Sequence, residues 1–513
     1  MPFVPSLISS SHPSTSASAL RLPQGSSQTP GPLSSLVWLV PAVWTTALGL
    51  WGLTRRNSMW RDEAATWQVA RRPADEIWHM VGNVDVVHAA YYLLMHALFE
   101  CFGAGITTLR LPSVLATAFA AASIAVVGSR LSGARVGLTA GMAFGLLPAV
   151  QFYLQEGRPY ALVAACAGGS TLLLVNVLMG RDRPVTWIAY GGSVLLGGLL
   201  NWLSLLILSA HLVTLLWVRA GQRVWRKWVV VAALAALCVL PLILFSRGQS
   251  AQVSWIPPLT WHMLIGPGVL LAIGGAGLLV EGPHRRQLSV SAVGMPLLAL
   301  PQLILAGLSL VQPLFLDRYV LFSLLGLALL IGSAVDRGIR VVGHRHPRTA
   351  PWILPLVILV ATMALLPQLL AKRSPASRVD DVLAIASVVQ TVKKPGDAVL
   401  FLPAARRDTE SVSPAAFSGL RDLALAVSPQ ASGTLKGIEA SPEQIRASML
   451  AQRRILLVTD TPEAGRPVTA RRDKVKLRVL GTDFVVVSDK QVRGRRVTVY
   501  ERPARQAVPR ARR

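Results

Sequence analysis

The chain has 513 residues, of which 52% are hydrophobic and only 15% are charged, and its mean hydropathy is +0.49. A soluble globular protein carries about 25% charged residues, so the composition excludes an ordinary soluble protein and indicates a polytopic membrane protein. The formal net charge of +26 argues for lipid contact rather than a nucleic-acid partner. Lysine and arginine concentrate in the short gaps between apolar blocks, where they orient membrane helices and contact anionic head groups.

Residues 1–33 are rich in serine and proline and are predicted to be disordered. The first apolar block, at 36–54, lacks a convincing cleavage site and is predicted to be a retained membrane anchor. Blocks of about 17–22 apolar residues are long enough to cross a hydrocarbon core about 30 Å thick, and with the first block they predict a mainly α bundle of about eleven spans, within a range of about 10–13. The further spans are predicted at 109–129, 136–152, 159–179, 185–200, 202–218, 228–246, 262–280, 289–311, 319–335 and 352–371.

Arginine distribution predicts the orientation of these spans. The short loops at 218–227 and 336–348 are the richest in arginine and are expected to be cytoplasmic. Alternation then places 129–135, 181–183 and 283–286 on the same side. It places 155–160, 247–260, 315–319 and everything after about 372 on the outer side.

The stretch at 88–103 leaves the N-terminal topology open. If this short apolar stretch lies along the membrane, residues 55–108 form the first extracytoplasmic loop. If it crosses the membrane, the segment around Asp62 is cytoplasmic, and the five arginines between positions 55 and 72 favour that second arrangement. Hydropathy and charge together do not decide between the two.

Residues 373–503 have the composition of a soluble α/β or α+β domain, expected on the outer side. Strands are predicted at 397–403, 454–459, 483–489 and 495–502. A helix is predicted at 441–452, opened by a serine cap with an acidic residue in its first turn. We find no glycine-rich phosphate loop in this region, and residues 504–513 form a basic tail. The three cysteines, Cys101, Cys166 and Cys238, lie far apart in apolar stretches and predict neither a disulfide framework nor a zinc site.

Ionisable residues near membrane depth are candidates for function because placing them there is costly. Four clusters stand out, each with a structural alternative such as a surface ion pair, a helix cap, an interfacial aromatic belt or a snorkelling arginine. If residues 55–108 are extracytoplasmic, all four clusters face one side. An arginine side chain can donate two parallel hydrogen bonds to a phosphate group, and a carboxylate can accept a proton from an attacking hydroxyl. The clusters are Asp62 with Glu63; His88, Tyr91 and Tyr92 preceded by Asp85; Gln155, Glu156, Arg158 and Tyr160; and Arg318 with Tyr319 and Asp317.

The stretches "RDEAATW", "VDVVHAAYYLLMHALFECFG", "LRLPSVLA", "QEGRPYALVAA" and "DRYVLFSLLGLALL" occur in this order between residues 61 and 330. In this order they resemble the membrane-embedded GT-C glycosyltransferases, in particular the bacterial relatives of protein O-mannosyltransferases and of the lipid A aminoarabinose transferase. The resemblance covers about 36–335. One departure is "HAA" at 88–90, where many relatives have Lys-Pro or Pro-Pro before the tyrosine pair.

The resemblance implies a polyprenyl-phosphate-linked sugar donor and a site on the extracytoplasmic face of a bacterial plasma membrane. It implies that Asp62 is the catalytic acidic residue, with Glu63 as its partner, in an inverting displacement. Arg158 and Arg318 are the expected ligands of the lipid phosphate. The remaining expected donor or substrate contacts are His88, Tyr91, Tyr92, Glu156, Tyr160 and Tyr319. The resemblance allows a divalent cation but demands no cofactor.

The expected function is therefore transfer of a sugar, mannose by the resemblance, to an extracytoplasmic glycan, lipid or protein. The alanine-, arginine- and valine-rich, lysine-poor usage is typical of a high-GC, actinobacterial source. A transporter or flippase for a lipid-linked sugar is the alternative, but the central spans are nearly uncharged, which favours an enzyme. A non-catalytic assembly protein is a third possibility.

Overall fold

A computed structural model describes residues 32–249, 256–281, 288–463, 465 and 467–503. The predictions for the N-terminal tail before residue 32, for part of the 247–260 loop, for 283–286 and for the basic tail from 504 lie outside the described residues.

All eleven predicted apolar blocks are helical, which confirms the mainly α bundle. In the part of the chain that the structure describes, seven helices are long and apolar enough to cross a membrane. The remaining apolar blocks form shorter helices. The helices of this region are α1 (Pro32–Leu50), α2 (Arg61–Ala70), α3 (Ala74–Asn83), α4 (Ala89–Phe102), α5 (Ile106–Ser132), α6 (Ala134–Leu146), α7 (Pro148–Tyr153), α8 (Tyr160–Leu178), α9 (Pro184–Leu200), α10 (Ile207–Trp217), α11 (Gln222–Arg247), α12 (Ile265–Glu281), α13 (Val290–Leu308), α14 (Leu324–Arg345) and α15 (Ala350–Arg373).

Four predicted spans are interrupted or open with a 3₁₀ turn, and those at 262–280 and 319–335 open with Trp261–Leu264 and Asp317–Ser323. The block at 136–152 breaks into α6 and α7 at Pro148, which has no N–H to continue the hydrogen-bond ladder and starts the new helix. The block at 202–218 opens with a 3₁₀ turn, Trp202–Leu206, because the Asn201 side chain accepts a hydrogen bond from the backbone N–H of Leu203 at 3.1 Å.

The stretch at 88–103 is too short to cross the hydrocarbon core. Helix α4 has 14 residues, which corresponds to a length of about 21 Å against a core about 30 Å thick. It packs against α2 and α3 and buries Tyr91, Tyr92 and Met95. These contacts favour the arrangement in which residues 55–108 form a loop on one side of the membrane.

Glycines let the long helices approach closely. A Cβ atom added to Gly137 on α6 would lie 2.3 Å from the carbonyl oxygen of Ala125 on α5. A Cβ atom on Gly326 of α14 would lie 2.3 Å from the carbonyl oxygen of Gly294 on α13. Such small-residue contacts hold helices together in lipid, where burial of apolar surface contributes little.

The polar loops form two groups at opposite ends of the bundle. At one end Arg135 pairs with Asp336 at 3.0 Å and Lys227 pairs with Asp182 at 2.8 Å. At the other end Arg318 pairs with Asp62 at 3.2 Å. Helix α5 runs between the two ends, and its 27 residues span about 40 Å. These pairs bring the predicted cytoplasmic loops at 129–135, 181–183, 218–227 and 336–348 to one end, and their orientation in the membrane stays a prediction.

The C-terminal region forms the predicted α/β domain. Its main sheet has the order β2-β1-β5-β7-β6, with β2, β1 and β5 parallel and with β7 and β6 antiparallel to their neighbours. A second sheet pairs β3 with β4. The elements are α16 (Val382–Val392), β1 (Ala398–Leu402), α17 (Asp408–Val412), α18 (Pro414–Phe417), β2 (Arg421–Asp422), β3 (Leu425–Val427), β4 (Ile438–Glu439), α19 (Pro442–Leu450), β5 (Arg454–Asp460), α20 (Arg471–Asp483), β6 (Val485–Val492) and β7 (Arg495–Glu501).

Local sequence signals explain the start of α19 and the place of β1. Ser441 accepts a hydrogen bond from the Gln444 backbone N–H, and the Gln444 side chain accepts one from the Ser441 N–H. This capping box satisfies two donors that a helix start otherwise leaves unpaired. Strand β1 is buried along its whole length because its alternate side chains enter two apolar clusters, one on each face of the sheet.

Candidate active site

The two adjacent acidic residues in the first turn of α2 have different environments. Successive residues on a helix point about 100° apart, so Asp62 and Glu63 face different neighbours. Asp62 is partly exposed, with 24% of its side chain accessible, and accepts a hydrogen bond from Nη1 of Arg318 at 3.2 Å. Glu63 is fully buried.

The Glu63 carboxylate is surrounded by donors. Nη2 of Arg55 lies 2.7 and 2.8 Å from its two oxygens, and Arg110 donates from Nε and Nη2 at 2.7 Å each. The backbone N–H of Gly157 donates at 3.1 Å. Both oxygens are therefore occupied inside the protein, and Glu63 is not available to a substrate. These contacts place Glu63 where it can position α2, and its role as the partner of Asp62 stays a prediction.

The loop before α2 has an unusual backbone. Arg55, Arg56 and Asn57 have φ values of +46°, +54° and +59°, a left-handed region that costs a non-glycine residue about 1–3 kcal/mol. The Arg55–Glu63 pair joins this turn to α2, and Arg110 binds the carbonyl oxygens of Leu53 and Ser58 on either side of it at 2.8 and 2.6 Å. The ion cluster thus holds the segment that sets the position of Asp62.

A chain of polar side chains connects Asp85 to Arg158. Nδ1 of His88 lies 2.7 Å from Asp85, and Nη2 of Arg158 lies 2.9 Å from Nε2 of His88. Arginine can only donate, so Nε2 accepts and the proton of a neutral His88 sits on Nδ1, facing Asp85. Burial and the nearby Arg158 charge lower the pKa of His88, which favours that neutral form. The hydroxyl of Tyr92 donates to the other Asp85 oxygen.

Arg158 is buried and has unused donors. Its Nε and Nη1 atoms have no hydrogen-bond partner among the described residues. Leaving charged donors buried without partners is costly, so an anionic group that reached these atoms would be stabilised by them.

Aromatic rings surround Arg318. Its guanidinium lies 5.8 Å from the ring centre of Tyr160 and 5.9 Å from that of Tyr319. Tyr160 also packs edge-on against Tyr153, whose hydroxyl donates to Asp317 at 3.3 Å. The rings fix the cation beside Asp62. Tyr91 is fully buried beneath them, and its hydroxyl has no partner within the described residues.

Glu156 lies between the membrane helices and the C-terminal domain. One of its oxygens lies 3.2 Å from Nη2 of Arg378, and the other has no partner in the described part of the chain. Complete burial raises the pKa of this carboxyl to about 7, although the Arg378 charge acts in the opposite direction. Glu156 therefore titrates near neutral pH.

The C-terminal domain holds the start of α2 directly. Asp380 accepts from the backbone N–H of Arg61 at 3.1 Å and from its Nε at 3.0 Å, and Arg495 of β7 donates to the same carboxylate at 3.0 Å. Val382 donates to the carbonyl oxygen of Met59 at 2.7 Å. Asp62 thus belongs to a helix that is fixed from both the membrane region and the C-terminal domain.

The structure brings together Asp62, Arg318, Tyr160 and Tyr319 in one group, and His88, Tyr92 and Arg158 in a second group beside it. Electrostatic coupling of Asp62 to Arg158, His88 and Glu156 shows that the groups are neighbours. Sequence reasoning missed Arg55, Arg110, Arg378 and Asp380. Arg110 lies within an apolar block, and the rule that marked the other clusters could have found it.

The described residues contain no group of three or more histidine, cysteine, aspartate or glutamate side chains that could hold a metal ion. Asp62 faces the guanidinium of Arg318, and Glu156 faces that of Arg378. One oxygen of each carboxylate is thus paired with an arginine.

The fold of the chain is similar to that of solved ArnT structures. No family model and no curated protein matches the chain. Among solved structures, the chain is similar to apo ArnT from Cupriavidus metallidurans, with a TM-score of 0.56 and 14% identity over 91% of this chain and 98% of that one. It is also similar to ArnT from the same organism bound to undecaprenyl phosphate, with a TM-score of 0.54 and 12% identity over 91% of this chain and 98% of that one.

Proposed function

We propose that this protein transfers a sugar, in the first instance mannose, from a polyprenyl-phosphate donor to an extracytoplasmic acceptor. The observation that carries the proposal is a partly exposed carboxylate, Asp62, that pairs with the partly buried Arg318 at one end of the membrane bundle, near the buried Arg158. A similar structure that contains undecaprenyl phosphate supports a lipid-phosphate donor. The acceptor class is a cell-envelope glycan, lipid or protein.

In the proposed reaction an acceptor hydroxyl attacks the anomeric carbon of the donor. A bond forms between the acceptor oxygen and that carbon while the bond from the carbon to the phosphate oxygen breaks, which inverts the configuration. The hydroxyl proton passes to the Asp62 carboxylate. Charge builds up on the leaving lipid phosphate, where Arg158 and Arg318 stabilise it.

The unpartnered Nε and Nη1 of Arg158 are the donors assigned to the lipid phosphate, through separate oxygens. His88 accepts from Nη2 of the same guanidinium at 2.9 Å, which fixes the orientation of Arg158. In place of the lysine that many relatives carry before the tyrosine pair, the chain then uses an arginine positioned by a histidine.

The test is sugar transfer by the full chain in membranes. Asp62→Asn keeps the shape of the side chain but cannot take the proton, so we expect transfer to fall by at least ~10²-fold, the usual lower limit for loss of a positioned base. Asp75→Asn, on an exposed carboxylate in the same loop, is the matched control and should retain full activity. Glycan and glycolipid analysis of a deletion strain complemented with each variant identifies the sugar and the acceptor.

Full transfer by Asp62→Asn would refute the assigned mechanism. Purified protein in sealed vesicles separates the enzyme from a flippase. Movement of the lipid-linked sugar across the bilayer without transfer to an acceptor would establish the transporter alternative instead.

A further inference from the structure

A cavity lies at the end of the bundle away from Asp62. It has a volume of about 440 Å³, within the roughly 300–1,000 Å³ typical of ligand pockets. It opens between the C-terminal end of α5, the N-terminal ends of α6 and α13, and the last turns of α14. Its lining comprises Leu131, Ser132, Val136, Leu288, Ser289, Ser333, Asp336, Arg337, Arg340, Val341 and His344.

The charges at this cavity are organised around one buried carboxylate. Asp336 is buried and pairs with Nε of Arg135 at 3.0 Å and with Nε of Arg340 at 2.7 Å. The carboxylate thereby fixes two guanidinium groups at the rim and leaves some of their N–H groups unused. Arg337, one position further along α14, is exposed and has no hydrogen-bond or ion-pair partner among the described residues. Three guanidinium groups and one carboxylate therefore lie at this end of the bundle, which leaves a positive excess.

Uncharged donors and apolar side chains complete the lining. The first turn of α6 follows Gly133 and has no side-chain cap, so its backbone N–H groups add to the positive potential. Leu131, Leu288 and Val341 form the apolar part of the cavity. The cavity thus combines a site for an anion with a surface for hydrocarbon.

The position of the cavity favours a lipid head group over free phosphate as the bound anion. It lies at the ends of the apolar helices α5 and α13, where lipid head groups meet the protein. The 27 residues of α5 place it about 40 Å along the helix from the Asp62 end, close to the full thickness of a bilayer with its head groups. Basic pockets between membrane helices at this depth recognise phosphate-bearing head groups.

We infer that this cavity is a binding site for the head group of an anionic phospholipid of the leaflet opposite to the Asp62 site. Arg337 and Arg340 bind the phosphate, and the acyl chains lie against the apolar helix surfaces beside Val341. The site is separate from the proposed donor site and does not depend on the proposed function.

Native mass spectrometry of the full chain in detergent tests the site directly. The protein is titrated with phosphatidylglycerol, with phosphatidylcholine and with inorganic phosphate. We expect at least one phosphatidylglycerol to bind about fivefold or more tightly than phosphatidylcholine, since each basic residue near a lipid surface contributes roughly that factor. Arg337→Gln should weaken phosphatidylglycerol binding about fivefold, and Arg337→Glu about 25-fold.

Arg226→Gln is the matched control, because Arg226 is an exposed arginine near the start of α11 and should leave binding unchanged. Arg337 is exposed and unpaired in the described structure, so its variants are expected to fold, and equal thermal unfolding of wild type and variant verifies this. Equal binding of the two phospholipids, or no loss in either Arg337 variant, would overturn the inference. Displacement of the lipid by millimolar inorganic phosphate would also overturn it, because the site would then recognise free phosphate.

Discussion

Asp62 and Glu63 are adjacent acidic residues of α2, but one is partly exposed and the other is buried in an ion cluster. Asp62 keeps an accessible oxygen, while Glu63 has both oxygens held by arginines and a backbone N–H. The difference arises from one helix position, since a step of about 100° turns one side chain toward Arg318 and the other toward Arg110.

We expect Glu63→Ala to destabilise the fold rather than to remove a reacting group. Removing one partner of a buried ion pair costs about 3–5 kcal/mol, because the remaining charges stay buried without compensation. The free energy of unfolding, measured in detergent, checks this. Glu100→Ala, at an exposed position on α4, should change it little, and a Glu63→Ala protein of wild-type stability would contradict the structural role.

The contribution of Glu156 to the free energy of unfolding should depend on pH with the opposite sign to that of Glu63. The pKa of Glu156 is raised from 4.5 to about 7 by burial, so the folded protein binds this proton more tightly than the unfolded chain does. The stabilisation is fully present below about pH 4.5 and is lost as pH rises through about 7. Arginine contacts, opposed by burial, lower the pKa of Glu63 to about 2, so its stabilisation is present above about pH 4.5 and is lost as pH falls toward 2.

Glu156→Gln should therefore flatten the fall in Tm between about pH 4.5 and pH 7 that this carboxyl causes. Thermal unfolding of wild type and variant across pH 4.5–8 measures the difference, with Glu100→Gln as a control that keeps the wild-type profile. A variant profile parallel to that of wild type would show that Glu156 does not titrate in this range.

At the scale of elements, α2 depends on two separate parts of the molecule. The loop before it is fixed by Arg55 and Arg110, and its first residue is held by Asp380 of the C-terminal domain. The C-terminal domain therefore helps to position the candidate site, in addition to any contact that it makes with an acceptor.

Breaking the Arg61–Asp380 contact should disturb the position of Asp62. A misplacement of about 1 Å can cost 10²-fold in rate, so we expect Asp380→Asn to lower kcat by about 10- to 100-fold with a smaller change in the KM for the donor. Steady-state kinetics measures this. Asp489→Asn is the control, since Asp489 pairs with Arg496 on partly exposed surface of the same domain. Equal kinetics for both variants would show that the contact does not position α2.

At the scale of the whole molecule, the two groups of loops and the short α4 define which segments share a side. We propose that the side with Asp62 and the C-terminal domain is extracytoplasmic. In a chain with Cys101, Cys166 and Cys238 replaced, Asp75→Cys should react with a membrane-impermeant maleimide in intact cells. Arg226→Cys should react only after permeabilisation.

The reverse labelling pattern would place Asp62 in the cytoplasm and remove the extracytoplasmic acceptor from the proposal. Labelling of both positions in intact cells would contradict the separation of the two loop groups.

Hydropathy and motif order were enough to predict the membrane bundle, the C-terminal α/β domain and the clusters at 62–63, 88–92, 156–160 and 318–319. These features depend on composition and short-range spacing, which a sequence displays directly. The breaks at Pro148 and Asn201 also have local causes. Pro148 starts α7, and Asn201 caps the 3₁₀ turn Trp202–Leu206.

Only the tertiary structure decided which acid is accessible. The pairing of Glu63 with Arg55 and Arg110 joins residues up to 47 positions apart, and that of Asp62 with Arg318 joins residues 256 positions apart. The contact of Asp380 with Arg61 spans 319 positions. Such contacts depend on helix packing, so charge alone could mark Asp62 and Glu63 as a pair but could not show that one is partly exposed and the other is enclosed by arginine.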